Sequence, residues 1–298
     1  MKRRQFIQSA LGSAALLPLS SLKLPVSGQS EIIIVKGESP AQLARRGVEA
    51  LGGMNKFVSR GDVVVLKPNM SWDRVPAQAA NTNPDVVGEV VRMCTEAGAK
   101  KVKVFDNTLN EPRRCYKRSG IETAAKEAGA DVFHVHERRF KMTKFPEGEL
   151  IKAWEIYKDV LEADKIINVP CAKHHSAPGA HVSLGMKNLM GFIGGVRGKF
   201  HRQFEVNITD LNQRIRPVLT ILDAYRLLLR NGPSGGSLAD VSTPKTLIAG
   251  ADPVAVDSYG ATLFGLDPEK LGFLRCAHSR GLGQMHLNEI KQTVISLS

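Results

Sequence analysis

Short runs of β-branched and other apolar residues recur along the chain, and segments with helical hydrophobic spacing lie between them. A nearly continuous apolar run such as 62–67 is typical of a strand buried on both faces. The alternation predicts an α/β fold with a largely parallel sheet covered by helices on both faces. The predicted strands are 31–35, 62–67, 101–105, 131–135, 165–169, 218–222 and 245–249.

Helix-start signals support the segments between these runs. Asn83-Pro84-Asp85 places a capping residue, a proline and an acid at a helix start, and Asp252-Pro253 supplies a cap and a first-turn proline. The predicted helices are 40–51, 86–97, 121–128, 158–163, 224–230, 254–264 and 269–279. Because no clear linker interrupts the pattern, we expect a single α/β domain over residues 29–298.

The first 28 residues have a different pattern. Basic residues at 2–4 precede an apolar run at 10–17, which Pro18 ends. This is the pattern of a signal peptide, and the run is too short to span a membrane as a helix. The sequence RRQFI at 3–7 resembles the twin-arginine export signal. An ordinary secretory signal with a chance arginine pair is the alternative.

The export resemblance implies several properties of the protein. Residues 1–28 would be removed after transport by the twin-arginine machinery, and the mature chain would lie in the periplasm or another extracytoplasmic space. That route carries folded proteins, often with a cofactor inserted before export. Beyond the leader no run of about 18 apolar residues occurs, so we predict no membrane span.

Charge and cysteine content limit the possible partners. The net charge is +12, but the basic residues are scattered and form no run of five or more. This distribution favours an anionic small molecule as the partner, and we predict no nucleic-acid partner. The four cysteines are far apart and lack C-x-x-C spacing. We therefore expect neither an iron–sulfur cluster nor a structural zinc site.

Polar side chains follow several of the predicted strands. Lys67 and Asn69 end the second strand, Asp106 follows the third, and the stretch 173–201 follows the strand at 165–169. Parallel sheets bind ligands beyond the carboxyl ends of their strands. We therefore predict a binding site at this edge of the sheet.

The stretch 173–201 is the richest in chemistry. It contains four of the eight histidines and six glycines, and it includes Lys187 and Asn188 among apolar residues. Glycines let the backbone approach a ligand closely. A partly buried lysine can bind an anion or, with a lowered pKa, attack a carbonyl carbon. The alternative is a lysine at a helix start that points to solvent.

These patterns assign candidate roles. Lys187 is predicted as the anchoring or nucleophilic group, with His175 and His201 as ligands or proton carriers. Asp257 stands in an apolar run and needs a partner if buried, for which Lys187 or Lys67 would serve. The residues predicted to bind a cofactor or substrate are Lys67, Asn69, Asp106, Lys173, Asn188, Asp223 and Asp257.

The cofactor itself is left open between a divalent metal and an anionic organic molecule. His174, His175 and His201 are the candidate metal ligands. Because adjacent residues at a strand end point apart, at most one of His174 and His175 is expected to face a given ligand. No local metal motif such as H-E-x-x-H supports the metal.

Two family resemblances follow from these motifs. The sequences SLGMKNLMGF at 183–192 and GADPVAVD at 250–257, with TILD at 220–223 and GPSG at 232–235, resemble the family called domain of unknown function 362. Many relatives carry ferredoxin-type cysteine clusters, which this sequence lacks. A more distant likeness is to the nickel-pincer lactate racemase. In that racemase a histidine, a lysine in a glycine-rich turn and a later histidine hold the cofactor. The likeness implies that His174 or His175, Lys187 and His201 would take these places here.

Together these observations predict an exported α/β enzyme of unassigned reaction, with a metal or an anionic cofactor or substrate at the strand ends. The alternative is a non-catalytic periplasmic ligand-binding or cofactor-carrier protein that uses the same pocket. An assembly factor with a protein partner is a third possibility.

Overall fold

The computed structural model describes residues 29–298, so the predicted leader at 1–28 lies outside the described residues. The strands are β1 (Glu31–Lys36), β2 (Val63–Pro68), β3 (Lys101–Val104), β4 (Asp131–Val132), β5 (Phe140–Lys144), β6 (Ala153–Tyr157), β7 (Lys165–Val169), β8 (Cys171–His174), β9 (Val182–Ser183), β10 (Leu219–Leu228), β11 (Val241–Ser242), β12 (Thr246–Gly250) and β13 (Lys291–Ser296).

The α-helices alternate with these strands over much of the chain. They are α1 (Pro40–Ala50), α2 (Pro84–Glu96), α3 (Pro112–Arg118), α4 (Ile121–Glu127), α5 (Lys158–Leu161), α6 (Gly185–Asn188), α7 (Phe204–Arg214), α8 (Pro253–Thr262) and α9 (Gly272–Ser279). Among residues 29–298, no helix has both the length and the apolar character needed to cross a membrane.

A large, mostly parallel sheet organises the chain. Its strands follow the order β13-β1-β12-β10-β7-β2-β3-β4, and within this path only β12 runs antiparallel to its neighbours. The short strands β8, β9 and β11 extend the sheet beside β10. A separate hairpin pairs β5 with β6. The predicted largely parallel α/β sheet is therefore confirmed.

Each face of the sheet buries its own hydrophobic core. In β1, Ile33 and Val35 pack into one core, whereas Ile32 and Ile34 pack into the other, as the alternation of side chains along a strand requires. Residues of α1, α2, α3 and α4 complete the first core. Residues of α6, α7, α8 and α9 complete the second. Helices thus cover both faces, as predicted.

One predicted helix is wrong. Residues 224–228 continue β10 because they pair with other strands, for example Ala224 with Thr246 and Leu228 with Val241. The alanine and leucines of this segment favour a helix by intrinsic propensity, and sheet pairing overrides that preference. The sequence analysis did not predict β13, the β5–β6 hairpin or α7.

The central position of β10 leads to a stability prediction. Leu222 is fully buried in the second core, whereas Leu229, just past the end of the same strand, is 40% exposed. We expect Leu222→Ala to lower the free energy of unfolding by about 2–5 kcal/mol because it leaves a cavity. Leu229→Ala should change it by less than about 0.5 kcal/mol. Urea unfolding followed by tryptophan fluorescence measures both, and similar losses would contradict this placement of β10.

Candidate functional site

A cavity of about 160 Å³ lies at the carboxyl ends of β2 and β8, under the segment that contains α6. We call it the cationic cavity because three basic residues and none of the acidic residues in the described chain line it. The polar residues that line it are Asn69, Ser71, Lys173, His175, Ser183, Lys187, Asn188, Arg197 and His201. Most of the residues predicted from the sequence as a site therefore meet here.

The segment that roofs the cavity is held by the carboxylate of Asp257. Its two oxygens accept the N–H groups of Gly185 and Met186 at 2.7 and 2.9 Å, so that α6 starts at a fixed position against α8. Gly185 permits this close approach, since a Cβ there would lie 2.8 Å from Asp257 Oδ1. Burial raises the pKa of Asp257 to about 7, although the two N–H groups oppose the rise. The prediction that a lysine partners Asp257 is therefore wrong.

A chain of buried amides joins this segment to the strand ends. Asn188 Nδ2 donates to Lys67 O at 3.0 Å and to Asn168 Oδ1 at 2.8 Å. Asn69 Nδ2 donates to Asn188 Oδ1, and Lys173 Nζ donates to Asn69 Oδ1 at 2.9 Å. These bonds join β2, β7, β8 and α6 through side chains. Because buried polar groups are costly when unpaired, the network specifies one arrangement of the four elements.

Lys67 and Asp106 form a buried ion pair beneath the cavity. Lys67 Nζ lies 2.9 Å from Asp106 Oδ1, and Asp106 Oδ2 accepts from Met70 N–H and the Ser71 hydroxyl. Gly191 leaves room for the pair, because a Cβ there would overlap Asp106 Oδ1 and lie 2.6 Å from Lys67 Nζ. The charge of Lys67 is thus neutralised locally. The free positive charge of the site comes from other residues.

Lys173, Lys187 and Arg197 supply that positive charge. Burial lowers the pKa of Lys173 to about 8. Burial, with the nearby charges of Lys173 and Arg197, lowers the pKa of Lys187 to about 7. Lys187 Nζ lies 3.5 Å from Met190 Sδ and 5.7 Å from the ring centroid of Phe204. Near neutral pH, Lys187 therefore carries a substantial fraction of neutral amine.

The histidines of the cavity are neutral at the same pH. Burial, aided by the positive charge of Lys187, lowers the pKa of His175 to about 2 and that of His201 to about 4. Their rings stack with centroids 5.4 Å apart. His175 Nδ1 accepts the N–H of Ala177 at 3.0 Å, so the neutral ring carries its proton on Nε2. His201 Nδ1 is buried without a hydrogen-bond partner among residues 29–298.

Besides Lys67, Asp106 and Asp257, two more predicted site residues do not line the cavity, His174 and Asp223. His174 does not line the cationic cavity, and its Nδ1 accepts the N–H of Gly232 at 3.2 Å. Asp223 accepts N–H groups of Asn83 and Tyr225, and burial raises its pKa to about 6. Asp223 thus links β10 to the start of α2. Because β10 continues through residue 228, residue 223 does not stand at the end of a strand.

The donors of the cavity do not fit a bare divalent metal ion. Across the described part of the chain, no group of three or more His, Cys, Asp or Glu side chains is placed to hold one. Only His175 and His201 of the three predicted metal ligands line the cavity, beside three cationic groups that repel a metal ion. A cofactor or substrate with its own negative charge suits these residues.

Arg197 is the site residue that the sequence analysis did not single out. It stands between Gly195 and Gly198, and its guanidinium donates to Asn107 O at 2.6 Å and Thr108 O at 3.0 Å. These bonds hold it at the cavity wall. In the sequence, the sign of its role was an arginine within a glycine-rich segment. That pattern does not show where the arginine side chain points.

The fold and the site define an α/β protein with a cationic cavity at the carboxyl ends of its parallel strands. The chain belongs to the family described as domain of unknown function 362, whose model matches residues 64–262. That range runs from β2 to the end of α8 and includes every residue that lines the cavity. The family resemblance stated from the sequence is confirmed.

Two further proteins are similar to this chain. The thylakoid-associated protein sll1697 of Synechocystis sp. is 27% identical over 243 residues, which cover 79% of this chain and 73% of that protein. A structure of the lactate racemase apoprotein from Thermoanaerobacterium thermosaccharolyticum aligns with 12% identity and a TM-score of 0.46. The alignment covers 79% of this chain, which spans 57% of the length of that structure.

The position of Lys187 leads to a prediction about its pKa. We expect its amine to react half-maximally with acetic anhydride near pH 7, because burial and two neighbouring cations disfavour its charged form. Lys173→Met should raise that value by removing one of the cations. Lys100→Met, at an exposed position outside the cavity, should not change it.

Peptide mapping of competitive labelling across a pH series measures this pKa. The exposed Lys199 in the same digest serves as the internal reference. A value for Lys187 at the ordinary lysine pKa of about 10.4 would contradict the electrostatics described above.

Proposed function

We propose that the cationic cavity binds a small organic anion, a carboxylate or a phosphate ester, and that the protein is an enzyme acting on it. The observation that carries the proposal is the set of residues that line the cavity. Lys173, Lys187 and Arg197 line it, and no Asp or Glu of the described residues does. Buried charges are costly unless they are paired. A bound anion would supply the missing counter-charge.

The three cationic groups have hydrogen-bonding capacity left for such a ligand. Lys173 donates two of its three N–H bonds, to Asn69 Oδ1 and Ala80 O. Arg197 uses one N–H on each of two guanidinium nitrogens for backbone carbonyls. A guanidinium fork suits the planar oxygens of a carboxylate or the oxygens of a phosphate. Anion recognition is therefore supported by both charge and donor geometry.

Lys187 favours an enzyme over a carrier that uses the same cavity. A carrier would need the positive charges but would have no use for a lysine whose pKa lies near 7. A lysine with that pKa can act as a general base or as a nucleophile at neutral pH. His175 and His201, both neutral there, would offer hydrogen bonds to the ligand. The same residues would hold an anionic organic cofactor if one is the natural ligand.

Anion binding should be coupled to proton uptake. A bound anion stabilises the charged forms of Lys187 and Lys173, so their lowered pKa values should rise when it binds. At a pH slightly above 7 the complex should then take up protons, and the affinity should fall as the pH rises above about 7, the pKa of Lys187 in the free protein. Calorimetric titration with oxalate in two buffers that differ in ionisation enthalpy measures the uptake.

A matched pair of variants tests the site itself. We expect Arg197→Met to weaken oxalate binding by roughly tenfold or more, since a charge-assisted hydrogen bond is worth about 1.5–3 kcal/mol. Arg202→Met, at an exposed position that does not line the cavity, should bind oxalate like the unaltered protein. Failure of oxalate, phosphate and pyruvate to bind, or proton release on binding, would overturn the proposal.

We also propose that the twin-arginine machinery exports the protein and that it works outside the cytoplasm. The support is the RRQFI sequence at 3–7. In a bacterium with that machinery, we expect the Arg3→Lys and Arg4→Lys double variant of the full chain to stay in the cytoplasm. Lys23→Gln, which leaves the arginine pair intact, should still be exported. Cell fractionation measures both, and export of the double variant would instead indicate an ordinary secretory signal.

A further inference from the structure

The surroundings of Lys187 differ from those of the other two lysines at this edge of the sheet. Lys67 is paired with Asp106, and Lys173 donates to an amide oxygen and a carbonyl oxygen. Within residues 29–298, Lys187 Nζ makes no hydrogen bond to oxygen, and its nearest described polar contact is Met190 Sδ at 3.5 Å. An amine must be unprotonated, with its lone pair free, to attack a carbon atom.

The neighbours of Lys187 suit an anionic substrate. Lys173 and Arg197 line the same cavity and would hold a carboxylate close to the amine. Their positive charges also favour the neutral form of Lys187 over its ammonium. In the ligand-free protein, one arrangement of cations thus provides both the binding site for the acid group and the neutral form of the nucleophile. Because a bound carboxylate raises the pKa of Lys187, the attacking amine is the fraction that stays neutral in the complex.

The volume of the cavity limits the size of the substrate. A volume of about 160 Å³ lies below the range of about 300–1,000 Å³ that is common for ligand pockets. The space suits a compact molecule with a single acid group, such as an oxo acid of three or four carbons.

We propose that Lys187 forms a Schiff base with the carbonyl carbon of a small oxo acid whose carboxylate is bound by Lys173 and Arg197. This inference rests on the proposed anion site, because the carboxylate of the oxo acid is the bound anion. It adds a covalent step and a substrate class to that site.

The covalent step balances without any other reactant. The neutral amine of Lys187 forms a C–N bond while the carbonyl π electrons move to oxygen, and a proton passes from nitrogen to that oxygen to give a carbinolamine. Protonation of the hydroxyl from solvent then releases water, and the nitrogen lone pair completes a protonated C=N bond. The N–H at Nε2 of His175, on the wall of the same cavity, is a candidate donor to the carbonyl oxygen during the attack. The positive iminium can accept the electron pair of a bond that breaks at the adjacent carbon.

Reductive trapping tests the Schiff base directly. The purified protein is incubated with pyruvate or glyoxylate and sodium cyanoborohydride, and the adducts are located by peptide mass spectrometry. We expect one dominant adduct, on Lys187, formed at least about tenfold faster than the adduct on the exposed Lys199, because an ordinary surface lysine is almost entirely protonated at neutral pH. Lys187→Arg should remove this adduct, whereas Lys199→Arg should retain it.

Two comparisons connect the reaction to the anion site. Excess oxalate, which binds as an anion but has no ketone or aldehyde carbon, should protect Lys187 from pyruvate. Arg197→Met should slow trapping of pyruvate much more than trapping of propanal, an uncharged aldehyde. Together they show whether the carboxylate directs the carbonyl to the amine.

The outcomes separate the two proposals. If oxalate and pyruvate bind by calorimetry but neither oxo acid is trapped preferentially on Lys187, the Schiff base is overturned and the anion site stands. If Lys187 is trapped preferentially but oxalate neither binds nor protects it, the lysine is reactive without an anion site, and both the proposed function and the oxo acid specificity fail. Trapping spread evenly over the exposed lysines also overturns the Schiff base.

Discussion

The carboxylate of Asp257 makes the contact on which the site most depends. By accepting the first N–H groups of α6, it fixes the glycine-rich segment over the strand ends, and the amide network of Asn188 can then form beneath it. In this position Asn188 of the segment bonds to the carbonyl of Lys67 on β2 and to the side chain of Asn168 on β7. A carboxylate in an apolar helix thus acts as a backbone anchor for a neighbouring element.

Three lysines at one edge of the sheet have three different environments. Lys67 is neutralised by Asp106, Lys173 is held by neutral oxygens, and Lys187 is left against a thioether and an aromatic ring. Burial lowers the pKa of all three lysines, and of the three Lys67 alone is in an ion pair, whose carboxylate opposes the fall. In the proposed function, this arrangement leaves one amine to react while its neighbours bind the ligand.

The sequence predicted the parallel strands and the edge that bears the site because continuous apolar runs and helix caps are local signals. It failed where tertiary pairing decides, as in 224–228, where helix-favouring residues extend β10 and remove Asp223 from the edge. It limited the adjacent pair His174 and His175 to one ligand-facing ring but could not say which. The place of Arg197 depends on carbonyls about 90 residues earlier in the chain, a contact without any local signature.

The order of strands in the sheet has a consequence for when the protein can fold. β1 is the first described strand, but both of its partners, β12 and β13, come from the last part of the chain. While the ribosome is still making the polypeptide, β1 offers two unsatisfied edges, which are prone to pair with other chains. The sheet can therefore be completed only when nearly the whole polypeptide has been made. The protein is most vulnerable to aggregation in the period before β12 and β13 pair with β1.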